Sequence, residues 1–218
     1  MNAPRGTPQS LARNRSFLIL CFGQAVSAVG TQVSQLALPL LVLDVSGSLA
    51  LTGLFVALRT LPQLLLLLPA GAWLDRWNRK RVLLLADGGR ALVLGTIPLV
   101  LALGWPALPF LAAAALTEGA LSTFFVVAYV ASLPRVVTPD QLGQAVAADN
   151  VTDQISRMVG PTLGGAVYGL GRAVPFALDA LSYTASVVSL LFIQIPSQEP
   201  RRRRPAASLR QEISDGLR

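Results

Sequence analysis

From Ser16 to Leu43 the chain runs for 28 residues without a charge, and no other feature restricts its fold as much. At 1.5 Å per residue, a helix of that length crosses the ~30 Å hydrocarbon core of a bilayer with room to tilt. The pattern then repeats, with apolar segments separated by short polar knots. The densest knot is Asp75-Arg76-Trp77-Asn78-Arg79-Lys80-Arg81, five charges in seven positions, set between the charge-free run Thr60 to Leu74 and the apolar run Val82 to Ala86. A charge at the bilayer centre costs roughly 2.5–3.5 kcal/mol on insertion scales, so this knot lies outside the hydrocarbon. Four of its five charges are Lys or Arg, which places it on the cytoplasmic side. With 53% hydrophobic and 13% charged residues and a mean hydropathy of +0.57, the chain reads as an all-α integral membrane protein.

Six transmembrane helices are predicted, at about 16–43, 49–70, 81–104, 107–132, 139–170 and 174–195, forming one bundle over 16–195. A polar tail precedes it at 1–15 and a basic, weakly amphipathic segment follows at 196–218. Fourteen of the 18 Lys and Arg residues fall in the two tails and in the connections on the side of the knot, whereas Arg172 alone falls on the other side. That imbalance predicts both termini in the cytoplasm of a multi-pass protein of the inner or plasma membrane. Thr138-Pro139-Asp140-Gln141 marks the start of helix 5, with Thr as N-cap, Pro at the first helical position and Gln three residues on.

Arg59, Arg90 and Arg157 are the remaining bases, and all three lie within predicted helices. Arg59 in helix 2 and Glu118 in helix 4 each sit about ten residues from the outer end, roughly 15 Å deep, which suggests an ion pair near the midplane. Were Glu118 to stand alone in an apolar site, desolvation would favour its neutral form, and such a carboxyl can carry a proton. In helix 3, Asp87 and Arg90 are spaced to pair with each other or with the charges of the knot. Asp149, Asp153 and Arg157 form a stripe at successive i+4 steps on helix 5, a face that lipid cannot cover. In helix 1, Gly23, Ser27 and Gly30 suit close helix packing, while Gln24 and Gln35 suit packing or a cavity wall equally. Asp179 lies near the outer end of helix 6.

Two of these stretches carry a resemblance. Gly71, Asp75, Arg76, Arg79 and Lys80 match five positions of the G-x-x-x-D-R-x-G-R-R/K loop between helices 2 and 3 of the major facilitator superfamily of secondary transporters. Asn78 stands where that pattern has its second Gly, and Asn also tolerates a left-handed backbone. Gly160, Pro161, Gly164 and Gly165 resemble the G-P-x-x-G-G signature in helix 5 of the superfamily's exporters, with Ser156 at an upstream position that is usually Gly. Pro161 kinks the helix and the three glycines let another backbone approach. The combination with Leu178-Asp179-Ala180-Leu181-Ser182 is similar to the macrolide- and siderophore-exporting branch, which includes enterobactin exporters.

The resemblance implies one half of a twelve-helix transporter, itself a 3+3 inverted repeat. It implies proton-coupled efflux of a small hydrophobic or amphipathic compound, such as a drug or siderophore, past helices 1, 2, 4 and 5. Glu118 and Asp153 are then the candidate proton carriers, with Arg59 and Arg157 sensing their charge. The partners are membrane lipids, protons, the small-molecule substrate and a second six-helix bundle. That bundle would come from a longer product or from association of half-size subunits; the rival expectation is a non-transporting membrane module.

Other classes find little support. Cys21 is the single cysteine and there is no histidine, so no Cys/His metal cluster, intrachain disulfide or histidine-based catalytic pair is expected, and no cofactor or enzymatic activity. The net charge of +7 fits an anionic inner leaflet better than nucleic acid, because the bases sit between and beyond apolar runs.

Overall fold

A computed structural model describes residue 11 and residues 14–74 and 77–193. Asp75 and Arg76 of the basic loop, most of the N-terminal tail and the basic segment from 196 onward lie outside the described residues. Six long helices make up the fold: α1 Arg15–Ser46, α2 Leu49–Leu74, α3 Arg79–Ala102, α4 Ala107–Val136, α5 Leu142–Leu170 and α6 Val174–Phe192. Five of them, α1 to α4 and α6, are long and apolar enough to cross a membrane. The 29-residue α5 has the length but not the apolarity, because Asp149, Asp153 and Arg157 occupy its first half.

Capping explains the helix ends better than hydropathy does. Asn14 starts α1, its side chain accepting from the Phe17 amide at 3.1 Å, while its Nδ2 donates to the Val136 carbonyl at 2.8 Å and so ties α1 to the end of α4. At the other end α1 continues past Leu43 to Ser46, where Gly47 adopts φ 64° and closes the helix through Leu43. That left-handed turn suits glycine because it lacks a Cβ. Asn78 proves to be an N-cap in extended backbone, φ −71°, accepting from the Arg81 amide at 3.2 Å. Its presence in the loop therefore has a capping reason rather than the left-handed one expected. Thr138 and Gln141 form the reciprocal capping box, around a 3₁₀ turn over Pro139–Gln141 that leads into α5.

The helices pack in a pattern that repeats after three. The α1–α6 contact corresponds to α4–α3, α1–α5 corresponds to α4–α2, and the α3–α6 contact maps onto itself. This is what two related three-helix units produce. Small residues allow the close approaches. A Cβ on Gly119 of α4 would collide with the Arg59 carbonyl of α2, and one on Gly164 of α5 would lie 3.1 Å from the Val33 carbonyl of α1. Gly23 and Gly30 meet Ser189 and Ser182 of α6, and Ser27 is buried, as the packing role predicts. Gly165 departs from expectation, since its nearest neighbour is Leu36 Cδ2 at an ordinary 3.9 Å.

Of three apolar clusters among the described residues, a small one around Phe17 and Leu133 closes one end and two larger ones fill the bundle. One contains Leu41, Phe55, Ile97, Leu111 and Phe176, and the other contains Leu20, Leu74, Leu83, Phe125 and Leu190. Between them along α2, α3 and α4 fall Arg59, Asp87, Arg90 and Glu118. A charged layer thus divides the core.

Candidate functional site

The charged side chains of this layer come from three helices, and only Asp87 and Arg90 share one. Arg59 on α2 grips Glu118 on α4 with two hydrogen bonds, Nε to Oε2 at 2.6 Å and Nη2 to Oε1 at 3.1 Å. Arg90 on α3 approaches the same Oε1 through Nη2 at 3.1 Å and Nε at 3.3 Å. Its Nη1 lies 3.4 Å from Asp87 Oδ1, and its guanidinium sits 4.0 Å above the centre of the Tyr183 ring. Paired, planar and stacked contacts of this kind are what Arg provides and Lys does not.

The layer continues into α6 and α1 through hydroxyls. Ser186 donates to Asp87 Oδ2 at 2.5 Å and accepts from Gln24 Nε2 at 3.3 Å. Tyr183 and Thr31 share a hydrogen bond of 2.7 Å. Asp179 is hydrogen-bonded by Ser34 and by Ser182 Oγ, the latter at 3.0 Å. Glu118 is 3% exposed, Arg90 4%, and Asp87 and Asp179 0%. Among the described residues no buried side-chain nitrogen or oxygen lacks a partner, as the low dielectric of such a place demands.

Arg59 is the least covered member of the ion-paired group, its side chain 20% exposed. It and Glu118 border a cavity of about 400 Å³ whose wall includes Gln35 of α1, Thr60 and Gln63 of α2, Ser122 of α4 and Arg157 of α5. That volume is in the range of small-molecule sites. A second void of about 20 Å³, roughly the space of one water molecule, touches Ser34, Arg59 and Glu118. The open alternatives at the two glutamines of α1 therefore separate: Gln35 lines the cavity, whereas Gln24 bonds to Ser186.

The expected Arg59–Glu118 pair is brought together, and Glu118 does not stand alone. Asp153 and Arg157 pair with each other at 2.8 Å on an exposed stretch of α5, and Arg157 lines the same cavity as Arg59 and Glu118. Arg79 and Lys80 bind the ends of neighbouring helices. Arg79 Nη1 donates to the Ala131 carbonyl of α4 at 2.6 Å, and Lys80 Nζ donates to the Ile193 and Leu191 carbonyls at the end of α6, at 2.6 and 3.2 Å. Gly71 has no neighbour within 4 Å of where a Cβ would lie. Gly160 packs on Gln32 of α1, and Pro161 lies within the unbroken helical span of α5. Sequence reasoning missed Arg90 as the second cation on Glu118, and missed the depth of Asp179. The spacing of Asp179, Ser182, Tyr183 and Ser186 along one face of α6 was the available signal.

Comparison with known proteins fits this arrangement. The chain is 26% identical over 201 residues to the enterobactin exporter EntS of Shigella boydii, an alignment covering 91% of this chain and 48% of that protein. It is 26% identical over 215 residues to the multidrug efflux pump Tap of Mycobacterium tuberculosis, covering 94% of this chain and 51% of the pump. The chain thus spans about half the length of the curated relatives it matches. No solved structure matches. Residues 20–218 match the family model described as the Major Facilitator Superfamily, and with its apolar helices and its relatives in agreement the chain belongs to that superfamily of membrane transporters.

Proposed function

We propose that this bundle is one of the two halves of a proton-driven exporter, with substrate passing through the cavity bordered by α1, α2, α4 and α5. The observation that carries the reading is the Arg59–Glu118 pair at the edge of the 400 Å³ cavity, with Glu118 anchored from behind by Arg90. A proton arriving on Glu118 would loosen its hold on Arg59 and free that guanidinium toward the cavity. Charge on the carboxyl and the chemistry of the cavity wall would thereby be linked. Asp153 and Arg157 form a second carboxylate–guanidinium pair, with Arg157 on the same wall, and act as the subordinate coupling pair.

The direction of transport rests on likeness. The related proteins are named an enterobactin exporter and a multidrug efflux pump, so the cargo here is a small hydrophobic or amphipathic compound of drug or siderophore type. The basic excess supports a position of the loop end of the bundle, with both termini, at the cytoplasmic face of the cell membrane. A second six-helix bundle, from a longer polypeptide or a separate subunit, would supply the opposite wall, and transport would occur by rocking of the two.

The test is made in everted membrane vesicles containing the transporter, with a panel of amphipathic dyes and an internal pH indicator. Dye movement should be accompanied by proton movement in the wild type. Glu118→Gln, present in the membrane at the wild-type level, should lose the coupling. Proton-coupled export undiminished in that variant would remove Glu118 from the role.

A further inference from the structure

We infer that Asp179 is a second proton site, which at rest holds one proton and can pass it to Glu118 through Ser34. The inference rests on the exporter reading only for its consequence in transport; its basis is the hydrogen-bonding of the layer itself. The interior holds two guanidiniums, Arg59 and Arg90, against three carboxyls, Asp87, Glu118 and Asp179. With all three ionised the layer would carry one uncompensated buried negative charge, a costly state that proteins avoid by neutralising a group. One proton balances the layer.

The hydroxyl partners show which carboxyl is built to take it. Asp87 receives a donor on each oxygen, Ser186 on Oδ2 and Arg90 on Oδ1, and the guanidinium favours its ionised form. Glu118 receives donors from two arginines. Asp179 differs, because it has no guanidinium within ion-pair distance among the described residues and its two partners each have another acceptor. Ser34 Oγ can turn to the Thr31 carbonyl at 3.2 Å, and Ser182 Oγ to the Asp179 carbonyl at 2.8 Å. When Asp179 is ionised, both hydroxyls donate to it. When it is protonated on Oδ2, it donates to Ser34, whose own proton turns to the Thr31 carbonyl, while Ser182 goes on donating to Oδ1. Every polar atom keeps a partner in both states.

A route joins the two sites. Ser34 borders the 20 Å³ void that also touches Arg59 and Glu118, so a single water there would link its hydroxyl to the Glu118 pair. In transfer, the Asp179 O–H bond breaks as its proton joins Ser34 Oγ. The former Ser34 proton passes to the water, and a water proton passes to Glu118, so that the water and Ser34 end unchanged. The charged groups around Asp179 are Arg90 and Asp87 from α3 and Glu118 from α4, with the phenol of Tyr183 on its own helix and Arg59 of α2 beyond Glu118. From α1 the facing groups are the neutral Ser34 and Thr31.

Infrared difference spectroscopy on the full chain in lipid nanodiscs, titrated with pH, reads the proton directly. The wild type should show one protonated-carboxyl band. Asp179→Glu should shift that band, as should Ser34→Ala, which removes its hydrogen-bond partner and leaves every charge in place; Glu118→Asp and Asp87→Glu should leave it unmoved. A band insensitive to Asp179→Glu and Ser34→Ala, a band that follows Glu118→Asp or Asp87→Glu instead, or no band at all would overturn the inference. Vesicles that show no proton-coupled dye export while the band behaves as stated would remove the exporter reading and leave the proton site standing.

Discussion

The Glu118 carboxylate holds the Arg59 guanidinium by both oxygens, at 2.6 and 3.1 Å, and offers one of those same oxygens to Arg90. The two cations therefore depend on this acid unequally, because Arg90 also has Asp87 whereas Arg59 is paired with Glu118. Glu118→Ala should accordingly destabilise the bundle by about 3–5 kcal/mol, the usual cost of leaving a buried charge without its partner. Arg59→Met should cost less, since Glu118 keeps Arg90. Thermal unfolding of the detergent-solubilised variants, followed by tryptophan fluorescence, measures both; equal losses would show that the pair is not shared as described.

The helix contact beneath that pair gives a second prediction. Gly119→Ala places a Cβ against the Arg59 carbonyl, backbone that cannot easily yield. Overpacking of this kind should cost about 1–3 kcal/mol despite the better helix propensity of Ala. Gly165→Ala meets only Leu36 at 3.9 Å and should be neutral or stabilising. The same unfolding assay separates the two glycines.

Lys80 closes the end of α6 by donating to two of its last carbonyls. Lys80→Met should lower stability by about 0.5–1.5 kcal/mol, from the lost hydrogen bonds and the lost cation at a helix C-terminus. Hydrogen exchange should then rise selectively in the last turn of α6. Uniform exchange across the helix would contradict a local clasp.

Accessibility tests the cavity. In a Cys21→Ser background, Gln35→Cys and Thr60→Cys should react with a water-soluble maleimide, because both positions line the 400 Å³ space. Gln24→Cys, turned toward Ser186, should react at least tenfold more slowly if the packing holds. Comparable rates at all three would place the cavity elsewhere.

What sequence could reveal divides along a physical line. Helix number follows from the length of uncharged runs, since lipid penalises each charge separately and locally. The pairing of Arg59 with Glu118 followed from equal depth, a one-dimensional quantity. Facing is different, because it depends on how six helices rotate about their axes. Arg90 was thus expected to pair along its own helix or toward the knot, whereas α3, packed against both α4 and α6, turns it to Glu118 of α4 as well as to Asp87. Asp179 likewise reads as an outer-end residue, yet α1 covers it entirely through Ser34. Asn78 shows the same limit in the backbone, where a residue suited to two roles takes the one its neighbours select.

The ionic layer joins α2, α3 and α4 by bonds that tolerate neither sliding nor twisting of one helix past another. A displacement of a single residue along any axis, about 1.5 Å, would forfeit several charged contacts at once. The interior therefore behaves as a keyed block. Its outer faces are left apolar, above all on α2, whose Leu64, Leu65 and Leu68 are 77%, 64% and 85% uncovered.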